Sequence, residues 1–187
     1  MAGLFLKGVS AMKILVLYAT TDGQTRKIAR FCADGLFALG HTVELASAEE
    51  AEPLDLARFD RAILAGSVHL GHLQKSLVEL ARAHAGPMNH MPTLMLQVSL
   101  SAAGEDAEER ADLDRIAKAF AQETGWTPSA VHHIAGAFTF TGYDFFRSLA
   151  MRYIAMQKGQ AVDPHEDREY TDWAALSALL RDWAGQA

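Results

Sequence analysis

The chain has 187 residues, half of them apolar, 21% charged and 9% aromatic, which suits one globular domain and excludes a disordered chain. Lys and Arg total 17 against 23 Asp and Glu, and the resulting net charge of −6 argues against a general nucleic-acid binder. Cys32 is the only cysteine, so an intrachain disulfide and a thiolate zinc site are excluded and a reduced, cytoplasmic setting fits; no apolar run reaches the roughly 18 to 20 residues of a membrane-spanning helix.

Met1–Ala11 lacks the basic start and long apolar core of a signal peptide and is expected to be a poorly ordered extension ahead of a domain over 12–187. Lys13–Ala19 (KILVLYA) is a continuous apolar run and predicts a buried parallel strand. The polar loop Thr20–Thr25 (TTDGQT) follows. Arg26–Leu39 then places Ile28, Cys32, Leu36 and Leu39 at helical spacing and stops at Gly40. Thr42–Ala46 and Phe59–Ala65 read as the second and third strands, the latter running into Gly66–His72 (GSVHLGH). Leu73–Ala85 reads as a helix stopped by Gly86 and Pro87, and Thr93–Ser99 as a fourth strand. Ala107–Glu123 is a helix with an acidic first turn, Ala130–Phe138 a fifth strand, and Tyr170–Trp173 (YTDW) starts a last helix ending near Ala184.

Strands alternating with helices predict an α/β, doubly wound parallel sheet, and five strands with an anion-type loop after the first suggest the order 2-1-3-4-5. Ligands then bind beyond the carboxyl ends of the strands, where the loops at 20–25, 66–72, 99–106 and 138–143 gather. Residues 139–169 exceed what a plain connection needs and form an insertion before the last helix.

The strand–loop–helix at 16–29 turns successive backbone N–H groups toward one point, where a helix dipole favours an anion. Thr20 and Thr25 add hydroxyl donors, and Gly23 permits close backbone approach. The loop is neither G-x-x-x-x-G-K-[ST] nor G-x-G-x-x-G. The same residues also suit a capped helix start with no ligand.

The stretch Val16, Leu17, Tyr18, Thr20, Gly23, Thr25 and Ala29 resembles the flavodoxin signature. That resemblance implies that Thr20, Thr21, Asp22, Gly23, Gln24 and Thr25 hold the phosphate of FMN. Ser67, Val68, His69, Leu70, Gly71 and His72, with Ser99 and Leu100, then approach the isoalloxazine ring. Asp22 departs from the usual uncharged residue and is expected to point away from the anion or to cap the helix. TTDGQTRKIA (20–29), GSVHLGH (66–72), HHIAGAF (132–138), YTDW (170–173) and the insertion look more specifically like the flavodoxin-like, menaquinone-dependent protoporphyrinogen IX dehydrogenases of haem biosynthesis. The likeness runs from Met12 to about Trp183.

Within the insertion, Phe145, Phe146, Leu149, Ala150, Tyr153 and Met156 fall on a helical arc of roughly 140°. Arg147, Arg152 and Lys158 against Asp144 alone give residues 138–160 a local charge of +2. An aromatic, basic helix of this kind suits a membrane surface or a large apolar ligand, although an amphipathic helix packed on its own domain has the same pattern. His69 and His72 lack the third ligand of a metal site and are expected to border the flavin or substrate or to be plain loop residues. His132 and His133 must face opposite sides of a strand. Cys32 is expected to be a small buried helix residue, and Trp126 and Trp173 to be packing residues.

The resemblance implies an FMN oxidoreductase that oxidises protoporphyrinogen IX and passes electrons to menaquinone or ubiquinone, peripheral on the cytoplasmic face of the cell membrane. No protein nucleophile or metal is expected in such a site, because the flavin carries the chemistry. Arg147, Arg152, Lys158 and Lys75 are candidate partners for the substrate's propionates by position. The alternatives are a flavodoxin-type electron carrier, another flavodoxin-like quinone reductase, and a non-flavin domain of the same architecture.

Overall fold

Lys13–Ala19 forms β1, and Ile14 to Leu17 are buried on both of its faces, as an uninterrupted apolar strand requires. The computed structural model describes residues 10–51, 54–138 and 168–186. β1 lies between β2 (Thr42–Ser47) and β3 (Arg61–Ser67), and β4 (Thr93–Ser99) and β5 (Ala130–Ala135) extend the sheet in the order β2-β1-β3-β4-β5. Every pairing is parallel: Val16 lies opposite Leu45 and Ile63, Leu64 opposite Met95, and Leu96 opposite His132. The carboxyl ends at Ala19, Ser67, Ser99 and Ala135 therefore lie along one edge.

Alternating side chains send two apolar layers to opposite faces. Ile14, Val16, Ile63, Ala65, Leu94, Leu96 and Val98 meet α1 (Gln24–Ala38) through Ile28, Ala29, Cys32 and Leu36, and α4 (Trp173–Gly185) through Leu176, Leu180 and Trp183. Leu15, Leu17, Leu64 and Met95 meet α2 (Lys75–Met88) through Leu77, Leu80, Ala81 and Met88, and α3 (Ala107–Thr124) through Phe120. Each buried Leu or Ile of these layers contributes about 1.5–3 kcal/mol. Trp126, just past α3, is fully buried and meets Phe120 edge-on with ring centroids 6.0 Å apart.

The helix ends explain most of the boundaries. Asp106 caps α3 by accepting from the amides of Glu108 and Glu109, and Gly125 ends that helix at φ +72°. α2 does not stop at Gly86–Pro87 as predicted. It runs through both to Met88, which is fully buried, while the Asn89 side chain donates to the Gly125 carbonyl and accepts from the Thr127 amide. Packing and these ties outweigh the single helical hydrogen bond that Pro87 removes. β5 ends at Ala135, not Phe138. The Gly136 amide donates to the Ser99 carbonyl at 2.9 Å, and Ala137–Phe138 (β6) leaves the sheet to pair antiparallel with Arg168–Glu169 (β7).

Among the described residues, no helix is long and apolar enough to cross a membrane. The predicted N-terminal extension up to residue 9, and the insertion over 139–167, lie outside the described residues.

Candidate functional site

The chain leaves β1 through Thr20–Asp22 and enters α1 at Gly23, whose φ of +90° lies in the left-handed region that a side chain resists. The Gly23 amide donates to the Thr20 hydroxyl at 2.9 Å, which closes the turn. The next amides, of Gln24, Thr25 and Arg26, begin an α-helix and so have no intrahelical acceptor. α1 also lacks a capping side chain, so these donors are not consumed by one, and Asp22 is exposed without capping the helix. The Thr25 hydroxyl is buried with no hydrogen-bond partner. An orphaned buried hydroxyl costs about 1–3 kcal/mol. Free first-turn amides, a helix dipole and that hydroxyl together form a cradle fitted to an anion such as a flavin phosphate. The Arg26 guanidinium comes within 3.9 Å of the position a Cβ on Gly23 would take, so it brings a cation beside the loop.

The second loop follows β3. His69 and His72 exchange backbone hydrogen bonds of 2.8 and 3.0 Å around Leu70 and Gly71, with φ +52° and +79°. This is a tight hairpin turn with two left-handed residues. It places a leucine, 67% exposed, at its tip. Val68 ties the loop to β4 by donating to the Val98 carbonyl at 2.8 Å. The histidine pair is thus joined through its backbone, and no group of three metal-ligating residues occurs among the described residues. The Gln74 side-chain amide donates to the hydroxyls of Ser67 and of Thr21, the latter at 3.3 Å, and bridges the first two loops.

Ser99 opens the third loop. Its hydroxyl accepts from the Ala102 amide at 3.1 Å as Leu100 leads into a short 3₁₀ turn at Ser101–Ala103. A Cβ on Gly136 would sit 3.3 Å from a Val98 methyl, so the strand's exit passes tightly over β4. The YTDW segment then returns to the same edge. The Tyr170 amide donates to the Gly136 carbonyl at 3.0 Å and the Thr171 hydroxyl to the Ala135 carbonyl at 2.7 Å. Thr171 also accepts from the Gln24 side-chain amide at 2.9 Å. Beside it, Glu169 pairs with Lys27 and accepts from the Trp173 indole. The Lys27 hydrogen bond, with those of Trp173 and Gln24 and the lysine's charge, holds the Glu169 carboxyl below its usual range against the opposing effect of burial.

Thr20–Thr25, Ser67–His72 and Ser99–Leu100 therefore end along one sheet edge, while Phe145, Phe146, Arg147, Leu149, Arg152 and Lys158 lie outside the described residues. Lys75 starts α2, exposed and paired with Glu79 at 3.2 Å. Motif reading does not single out Gln74, Thr171, Glu169 and Arg26 for the cofactor edge. Solitary polar residues carry no periodicity, and only the YTDW motif points toward Thr171. His132 and His133 occupy opposite faces as expected, with the His133 ring 2.9 Å from Asp114 on α3. Burial, and then the His133 charge, lower the His132 pKa. Cys32 is buried under α1, and that burial pushes its thiol up to about 12, which suits an inert packing residue. Trp173 packs on Phe31 with centroids 4.8 Å apart.

A flavodoxin-domain family profile matches residues 15–164. The chain is 29% identical over 173 residues to the protoporphyrinogen IX dehydrogenase (quinone) of Escherichia coli strain K12, covering 92% of this chain and 95% of that protein. It is 28% identical over 176 residues to the Leishmania major protein of the same name, covering 92% and 74% respectively. Among solved structures, a cysteine-to-alanine mutant of a Pseudomonas aeruginosa flavodoxin aligns at 16% identity and a TM-score of 0.49, over 78% of this chain and 95% of that one.

Proposed function

Because this chain belongs to the flavodoxin domain family, we propose that it is an FMN-dependent protoporphyrinogen IX dehydrogenase that delivers electrons to a quinone. The observation that carries the reading is the anion cradle, with its uncapped first-turn amides and buried, unpartnered Thr25 hydroxyl at the carboxyl edge of the sheet. Similarity over most of both chains to proteins named for this reaction supplies the substrate class. In this reading the Thr20–Thr25 backbone and the Thr25 hydroxyl hold the FMN phosphate, and the loops at Ser67–His72 and Ser99–Leu100 border the ring. A bound flavin supplies two-electron chemistry. Taking a porphyrinogen to a porphyrin removes six electrons and six protons, so three rounds are required, with a quinone as acceptor in each. The protein's own residues bind and orient; the exposed Leu70 hairpin offers an apolar edge next to the ring position.

A quinone resides in a bilayer, so the reading includes a peripheral site on the cytoplasmic face of the cell membrane. The aromatic, basic stretch at residues 143–158 is the proposed contact. Anaerobic mixing of FMN-loaded protein with protoporphyrinogen IX tests the enzyme reading. Bleaching of the flavin absorbance, reversed by a short-chain quinone, is expected. A flavin that stays oxidised in the presence of porphyrinogen overturns the dehydrogenase reading in favour of an electron carrier, and a protein that takes up no FMN overturns both.

A further inference from the structure

An α-helix that presents its first-turn amides to a ligand meets a conflict. The side-chain cap that normally fixes a helix start does so by consuming those same amides. α1 has no capping side chain, so something else must hold its first turn in place.

The YTDW segment does this from outside. The Thr171 hydroxyl has one proton, and it is spent on the Ala135 carbonyl at 2.7 Å, so toward Gln24 it can only accept. That fixes which end of the Gln24 amide faces it: the Nε2 group donates to Thr171 at 2.9 Å. The Gln24 amide also helps to hold the Glu169 carboxyl below its usual range. Glu169 further takes the Lys27 ammonium and the Trp173 indole N–H, and the Lys27 ammonium lies 5.1 Å from the centre of the Trp173 ring. Gln24 and Lys27 are one helical turn apart, so both side chains of that turn are anchored to residues 169–173. None of these bonds uses a backbone amide of Gln24, Thr25 or Arg26.

We propose that Thr171, with Glu169, is a positioning residue for the cofactor loop: it clamps the first turn of α1 through the Gln24 side chain and leaves the turn's amides free for the FMN phosphate. The inference rests on the flavin reading above and adds a role for the YTDW segment. It also narrows that of Gln24. The Gln24 side chain faces the clamp, and its backbone N–H is its contribution to the anion.

FMN titration of the apoprotein, followed by flavin fluorescence quenching, tests the clamp in a double-mutant cycle. Thr171→Val is expected to weaken FMN binding about tenfold, and Thr171→Ser, which keeps the hydroxyl, to stay near wild type. Gln24→Leu is expected to weaken binding to a similar extent, and the double variant to be no worse than either single one, because both remove the same tie. Multiplying effects, or wild-type affinity in Thr171→Val, overturn the clamp while leaving the flavin reading intact. Failure of the wild-type apoprotein to bind FMN overturns both. If Thr171→Val does not fold, the cycle is run with Glu169→Gln in its place. Non-additive weakening with Gln24→Leu then supports the clamp, and additive or absent weakening overturns it.

Discussion

The two edges of the central sheet treat polar groups in opposite ways. At the amino edge most of them close on one another, the buried Trp126 indole N–H apart. The Lys13 amide donates to Asp60 at 2.7 Å and the Met12 amide to the His41 ring at 3.3 Å. Thr93 and Ser129 exchange amide-to-hydroxyl bonds of 3.0 and 3.2 Å. The buried Arg61 guanidinium donates to the carbonyls of Trp183 and Gln186 and lies over the Trp183 ring, so β3 supplies the cation that the last turn of α4 lacks. At the carboxyl edge the Thr25 hydroxyl and the Gln74 side-chain oxygen Oε1 are buried without partners, and Gly23, Leu70 and Gly71 hold left-handed backbone. The amino edge mostly closes its polar groups to stabilise the fold, and the carboxyl edge carries the candidate ligand site.

If that division holds, damage at each edge should read out differently. Gly23→Val forces a β-branched residue into φ +90° and should lower FMN affinity by about a hundredfold or more, about 3 kcal/mol, as measured by titration. Its thermal unfolding midpoint without FMN should move far less, since the loop carries little of the core. Arg61→Leu should do the reverse. Stripping the helix end of its buried donor should cost about 2–3 kcal/mol, or about 4–12 °C in the unfolding midpoint, with FMN affinity close to wild type. A large loss of FMN binding in Arg61→Leu would break the comparison.

The smallest expected effect is on pH. His41 is buried and accepts from the Met12 amide, so its ring is neutral there, and burial followed by the Arg61 charge lowers its pKa. The unfolded chain binds a proton more readily than the folded one. Stability from this site is therefore complete above about pH 6.5, the ordinary histidine value, and is lost as the pH falls below it. His132, also shifted down, acts in the same direction. Unfolding midpoints between pH 7.5 and 5.5 should fall for the wild type and fall less for His41→Gln. An unchanged slope in the variant would show that the amino edge does not contain this acid-sensitive contact.

Much of this organisation was legible in the residues themselves. KILVLYA reads as a buried strand because both faces are apolar, and the structure gives β1 those bounds. The order 2-1-3-4-5 follows from alternating elements and an anion-type loop after the first strand. The end of α2 was not legible, because the breaker rule at Pro87 competes with the tertiary packing of Met88. Nor was the exit of β5, where the continuous run through Phe138 hides the switch from parallel to antiparallel pairing at Gly136. The uncapped start of α1 could be read as a loop but not as a clamped one. Gln24 and Thr171 are 147 residues apart, and no local pattern joins them.

The β6–β7 ladder has a topological consequence. Ala137 faces Glu169 and Phe138 faces Arg168. Antiparallel partners stand about 4.5–5.5 Å apart, so residues 138 and 168 are held side by side. Any loop closed by such a ladder begins and ends at fixed points. Doubling the length of such a loop costs only about 0.6 kcal/mol in closure entropy. The β6–β7 ladder therefore lets a connection change in length with little penalty to the sheet.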